Sequence, residues 1–125
     1  MTHKEFNEVV ENELAYVKEL LTSKSKEYDF GQDRFHSFKV GGELQGISQE
    51  KCLLGYLTKH IVSIYDMCNE VENFSYDKFV EKITDYLNYG LLLLGMIAEE
   101  KQVYAKSAEQ SVSVSKTKGS TSKTK

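Results

Sequence analysis

Residues 75–104 read SYDKFVEKITDYLNYGLLLLGMIAEEKQVY, and this stretch decides the fold. Phe79, Ile83, Leu87, Leu91, Leu94 and Ile97 recur at steps of four and three residues, the spacing of one apolar helix face. Ser75 is a good N-cap, and Asp77 lies in the first turn, where the helix dipole favours negative charge. The pattern predicts a long helix from Ser75 to about Tyr104. On the same helix Glu81, Asp85 and Asn88 form a polar stripe, again at helical spacing.

Upstream, Ser48 is a good N-cap, and Glu50 falls in the first turn of a helix carrying Leu53, Leu54, Leu57, Ile61, Ile64 and Cys68. That helix offers a second polar row, Lys59, Ser63 and Asp66, with His60 beside it. Thr2 and Glu5 make a capping box ahead of Phe6, Val9, Val10, Leu14, Val17 and Leu21, which predicts a first helix to about Lys26. A short helix over Ser37–Leu44 is weakened by Gly41 and Gly42 and ended by Gly46. No strand-like alternation appears, and no proline is present to break a helix. The expected fold is all-α: three long helices plus a short helix, with open apolar faces that a symmetric homodimer would close into a four-helix core.

Residues 1–105 are expected to form one helical domain. Residues 106–125 are Ser, Thr and Lys with hardly an apolar side chain, a composition that predicts a disordered basic tail. From Lys106 the tail holds five Lys and one Glu, a charge of +4 against −3 for the whole chain, which leaves −7 on residues 1–105. An acidic body argues against a broad nucleic-acid surface, since phosphate binding needs clustered Lys and Arg; the tail alone would touch phosphates weakly. The apolar run Tyr89–Ala98, interrupted by Gly90 and Gly95, is too short to span a bilayer, which takes about 20 helical residues. Cys52 and Cys68 share one predicted helix at a separation of about 24 Å, beyond the roughly 4–7 Å a disulfide allows between Cα atoms. Two free thiols without a signal peptide point to the cytoplasm.

Two apolar helices with facing polar rows suggest a site within a bundle. The carboxylates of the third-helix stripe, Glu81 and Asp85, suit Mg²⁺, which prefers oxygen ligands. The stripe reads equally as a solvated face, with Lys78 and Lys82 as local partners. His60 is a candidate ligand or proton carrier, or else a satisfied residue of a helix interface. Between Lys24 and Lys39, Lys26 and Arg34 lie among Tyr28, Phe35 and Phe38. Cations with aromatic rings suit an anionic ligand that carries a stackable base, although Phe35 and Phe38 also read as anchors of the loop.

Lys24–Tyr28, Asp33-Arg34-Phe35, Lys59-His60 with Asp66, and Glu81–Asn88 ahead of an apolar run together resemble small phage-encoded MazG-like proteins of the all-α nucleoside-triphosphate pyrophosphohydrolase group. The resemblance covers roughly residues 5–100. It implies a bundle completed by dimerisation, Mg²⁺ held by acidic pairs on two helices, and hydrolysis of a nucleotide to its monophosphate and pyrophosphate. Where that group carries Glu-Glu-x-x-Glu, this chain reads Lys59-His60-Ile61-Val62-Ser63; its later Glu-x-x-Asp reads Lys82-Ile83-Thr84-Asp85. Only the final Asp is retained, with Glu81 one position off. On this expectation Asp66, Glu81 and Asp85 hold the metal, Glu81 and Asp85 are catalytic, and Lys26, Arg34 and Lys59 face phosphates. Tyr28 or Phe35 stacks on the base, with His60 and Asn88 completing the ligand site. The competing expectation is a non-enzymatic phage protein that sequesters a nucleotide signal or inhibits a host protein.

Overall fold

The computed structural model describes residues 1–27 and 33–103, with side chains described for 1–23 and 33–103. It is all-α: α1 spans His3–Glu27, α2 His36–Gln45, α3 Gln49–Cys68 and α4 Tyr76–Glu100, with a 3₁₀ turn at Val71–Asn73 before α4. No strand occurs among the described residues. The expected tail falls in 104–125, outside them.

The helix starts follow the local chemistry. The Glu5 amide donates to Thr2 Oγ1 at 3.1 Å, and the Thr2 amide donates to Glu5 Oε1 at 2.7 Å, which closes the capping box of α1. Ser48 accepts the Lys51 amide at 3.1 Å and Ser75 the Lys78 amide at 3.2 Å, so both hydroxyls cap as their positions predict. Gly46, at φ 72°, ends α2 in the left-handed region, and the Ile47 amide closes back on the Gly42 carbonyl at 2.9 Å. At its far end α4 stops at Glu100, short of the expected Tyr104, and Gln102 turns the backbone to φ 57°.

Gly41 and Gly42 have a role that propensity alone hides. A Cβ on Gly42 would lie 2.7 Å from the Ile47 carbonyl oxygen, and one on Gly41 would lie 2.9 Å from Cys52 Sγ. Their missing side chains let α2 close directly onto the start of α3.

The chain divides into two units, Met1–Leu93 and Leu94–Lys125. In the first, Val17, Cys52, Leu53 and Met67 are buried; in the second, Met96 is. The helix faces are oriented differently from the expectation. Ile83, Leu91, Leu94 and Ile97, read as the core face of α4, are exposed, while Thr84 and Asn88 are buried. In α1 Val17 is buried, whereas Phe6, Val9, Val10 and Leu14 are exposed. In α3 Leu53 is buried while Leu54 and Ile61 are exposed. The cause is geometric: periodicity says which residues share a face, but the neighbouring helix decides which face is covered.

Candidate functional site

Helices α2, α3 and α4 meet at a cluster of rings around one His–Asp contact. On α3, Tyr56 and His60 are four residues apart, and on α4 so are Asp85 and Tyr89, so each pair shares a helix face. His60 Nδ1 lies 3.8 Å from Asp85 Oδ2, and the half-buried imidazole is 5.0 Å, centroid to centroid, from the Tyr89 ring. Phe38 of α2 stands edge-on to both tyrosines, 5.9 Å from Tyr56 and 6.5 Å from Tyr89. Edge-to-face packing of this kind adds roughly 0.5–1.5 kcal/mol per pair beyond area burial. Burial, then the Asp85 charge and Tyr56, push the Tyr89 hydroxyl above the usual tyrosine range, which keeps it a neutral donor.

The adjoining flank of α4 looks towards α1. The buried Thr84 hydroxyl donates to Glu13 Oε2 at 2.5 Å. One turn further along α4, Asn88 is buried, and its amide oxygen has no hydrogen-bond partner among the described residues. Nearer the start of α4, an open groove of about 350 Å³ runs between Val9, Glu13 and Tyr16 of α1 and Tyr76, Asp77 and Glu81 of α4. Asn12 and Val80 complete its lining, which is mixed: two valines and two tyrosines beside one amide and three carboxylates.

The expected site residues are therefore distributed. Glu81 faces the α1 groove and pairs with Lys78 at 3.1 Å, in the local i, i+3 manner of a solvated helix face. Asp85 turns instead to His60 on α3. Asp66 is exposed on α3. Among the described residues no three His, Cys, Asp or Glu side chains come together to hold a metal, so Asp66, Glu81 and Asp85 do not converge in this chain. Glu81 and Asp85 are four residues apart on one side of α4, yet Asp85 reaches His60 of α3 while Glu81 lines the α1 groove and pairs with Lys78 of its own helix. Lys59 is exposed beside His60, and Arg34 is exposed in the turn ahead of α2. In that turn the Phe35 amide donates to Asp33 Oδ1 at 3.0 Å and Lys39 pairs with Asp33, so the Asp33 carboxyl is held below its ordinary range, chiefly by Lys39. Phe38 rather than Phe35 reaches the ring cluster. The Lys26 side chain and Tyr28 lie outside the described residues.

Tyr56, Tyr89, Thr84 and Glu13 were missed by the sequence reading. Two of them carried a signal: Tyr56 stands four residues before His60, and Tyr89 four after Asp85. Thr84 and Glu13 carried none, because their bond joins residues 71 apart. Cys52 is buried and Cys68 exposed, both free thiols, and no helix among the described residues is long and apolar enough to cross a membrane. Compared with known proteins, the chain matches no family model, no curated protein and no solved structure.

Proposed function

We propose that this protein binds a nucleotide or a nucleotide-derived small molecule at the ring cluster of α2, α3 and α4, in the cytoplasm. One observation carries the reading: a half-buried imidazole, His60, set between the Asp85 carboxylate and the Tyr89 ring. The imidazole is positioned by the Asp85 carboxylate and by the tilted Tyr89 ring. A ring N–H so placed can donate to a phosphate oxygen while an aromatic ring of the cluster stacks on a planar base. Lys59 beside it and Arg34 ahead of α2 supply further positive charge, with Lys26 and Tyr28 completing the set that the MazG-like resemblance implies. The nucleotide class itself comes from that resemblance.

Binding without hydrolysis is the form the geometry favours, because Glu81 and Asp85 have separate partners: Lys78 for Glu81 and His60 for Asp85. This corresponds to a protein that sequesters a nucleotide signal or presents the bundle to a host protein. The hydrolytic form requires Mg²⁺ on Asp66, Glu81 and Asp85, with Glu81 and Asp85 catalytic, and so requires these carboxylates to be gathered on ligand binding or assembly. The homodimer expected from the open apolar faces belongs to either form.

Equilibrium binding over a panel of nucleoside mono-, di- and triphosphates and cyclic nucleotides, run beside a pyrophosphate-release assay with Mg²⁺, tests the reading. Binding without product supports sequestration. Mg²⁺-dependent product that disappears in Asp85→Ala supports hydrolysis. Neither binding nor product across the panel overturns the proposal.

A further inference from the structure

We propose that a phosphate-bearing ligand binds at the ring cluster together with a proton, which His60 takes up, so that affinity falls as pH rises. The inference rests on the ligand reading above and adds its regulation. An imidazole carries its two nitrogens on diverging edges. Nδ1 of His60 faces the Asp85 carboxylate at 3.8 Å, and 24% of the side chain stays open to a ligand. Nε2, on the other edge, has no hydrogen-bond partner among the described residues. The distance from Nδ1 to Asp85 exceeds that of a direct hydrogen bond. Asp85 therefore sets the sign of the charge that this edge meets, without locking the tautomer.

Donors and acceptors decide the protonation of the complex. A carboxylate and an ionised phosphate only accept, whereas a neutral imidazole has one N–H and one lone pair. With Asp85 alone, that single N–H is enough. With a phosphate at Nε2 as well, a neutral ring would turn its lone pair on one of two anions. The imidazolium donates from both edges and sets its positive charge between them. The remaining groups around the ring do not lift this demand. From α4, the Tyr89 ring lies 5.0 Å away, and burial holds its hydroxyl above the usual tyrosine range, so it stays neutral. Phe38, the contribution of α2, carries no charge. On α3 itself, Tyr56 stands one turn before His60, and Lys59 is exposed, its like charge screened by water. Proton and ligand are then linked reciprocally, each raising the affinity for the other by the same factor. Because the complex holds the extra proton, binding weakens with rising pH, by up to about tenfold per pH unit.

Nitrogen-15 NMR of the full chain, labelled at histidine, reads the proton directly at about pH 8, where an unperturbed histidine is almost wholly neutral. The probes are the nucleotide panel above, with cyclic AMP as the member whose phosphodiester does not titrate. Both ring nitrogens of His60 should move to their protonated positions when a probe binds. The dissociation constant should rise about tenfold between pH 6 and pH 8. His60→Gln removes the titrating ring, and Asp85→Asn supplies an amide that can donate to Nδ1. Both variants should bind more weakly yet with a flattened pH profile, and any titration of the probe itself persists in them and is subtracted. A probe that binds while His60 keeps a single N–H overturns the proton coupling and leaves the ligand reading standing. Binding that leaves the His60 resonances unmoved and survives His60→Gln at full strength puts the ligand elsewhere and overturns both. Absence of binding across the whole panel overturns both as well.

Discussion

The Thr84 hydroxyl donates to the Glu13 carboxylate across 2.5 Å, joining α4 to α1 at a position where Thr84 is 1% exposed. A hydroxyl buried that far costs free energy unless it finds an acceptor, and here the acceptor is charged, which makes the bond stronger than a neutral pair. Thr84→Val keeps the shape and removes the donor. It should destabilise the fold by about 1–3 kcal/mol, read as a lower urea midpoint with unchanged slope. Equal stability in Thr84→Val would mean that the bond contributes nothing net.

Gly42 and Gly90 should respond with opposite signs to the same substitution. Gly42→Ala drives a methyl to 2.7 Å from the Ile47 carbonyl oxygen, and backbone cannot yield cheaply, so stability should fall by about 1–3 kcal/mol. Gly90→Ala meets nothing within 4 Å on an exposed helix face and should gain up to about 1 kcal/mol from helix propensity. Thermal unfolding of the two variants checks both signs at once.

Ligand binding should depend on the two faces of α4 unequally. His60→Ala and Asp85→Asn each alter the ring cluster and should weaken binding of a responsive nucleotide by about 10-fold, or roughly 1.4 kcal/mol, with helix content intact. Glu81→Gln, on the groove side, should leave the dissociation constant unchanged. Titration calorimetry on the three variants measures this. Loss of binding in Glu81→Gln with Asp85→Asn unaffected would move the site to the α1 groove.

The two shifted groups predict limits at opposite ends of the pH range. Asp33 ionises more readily in the folded chain than in the unfolded one, so its contribution is present above the ordinary carboxyl pKa and is lost as pH falls through its lowered value. Its exposure keeps this contribution small, and Asp33→Asn should remove it. Tyr89 has the reverse sign. Its raised pKa leaves stability untouched below the ordinary tyrosine value near 10, and stability falls as pH rises above it, because the unfolded chain loses that proton first. The difference in 295 nm absorbance between the protein and Tyr89→Phe, followed through alkaline titration, should show this tyrosine ionising above the ordinary value.

Much of the fold was legible because helix starts are local. The Thr2–Glu5 box, Ser48 and Ser75 name three helix beginnings within four residues of sequence each, and Gly46 names one end. Part of the ring cluster was legible as well: His60 and Asp85 were singled out as polar residues on otherwise apolar helices, and Phe38 as an anchor. Their meeting was not, since it depends on which faces of α3 and α4 turn towards each other after the connection through Val71–Asn73. The metal set of Asp66, Glu81 and Asp85 came from the resemblance and from helical spacing, neither of which states the rotation of each helix about its axis.

The sequence by itself determined that this protein is helical, where each helix begins and which residues share each face, because capping bonds and a 3.6-residue period are properties of a single segment. Only the tertiary structure decided that Thr84 and Asn88 rather than Ile83 and Leu91 turn inward, and that Asp85 meets His60 while Glu81 does not. Those choices are set by which neighbouring helix covers which face, and no segment carries that information alone.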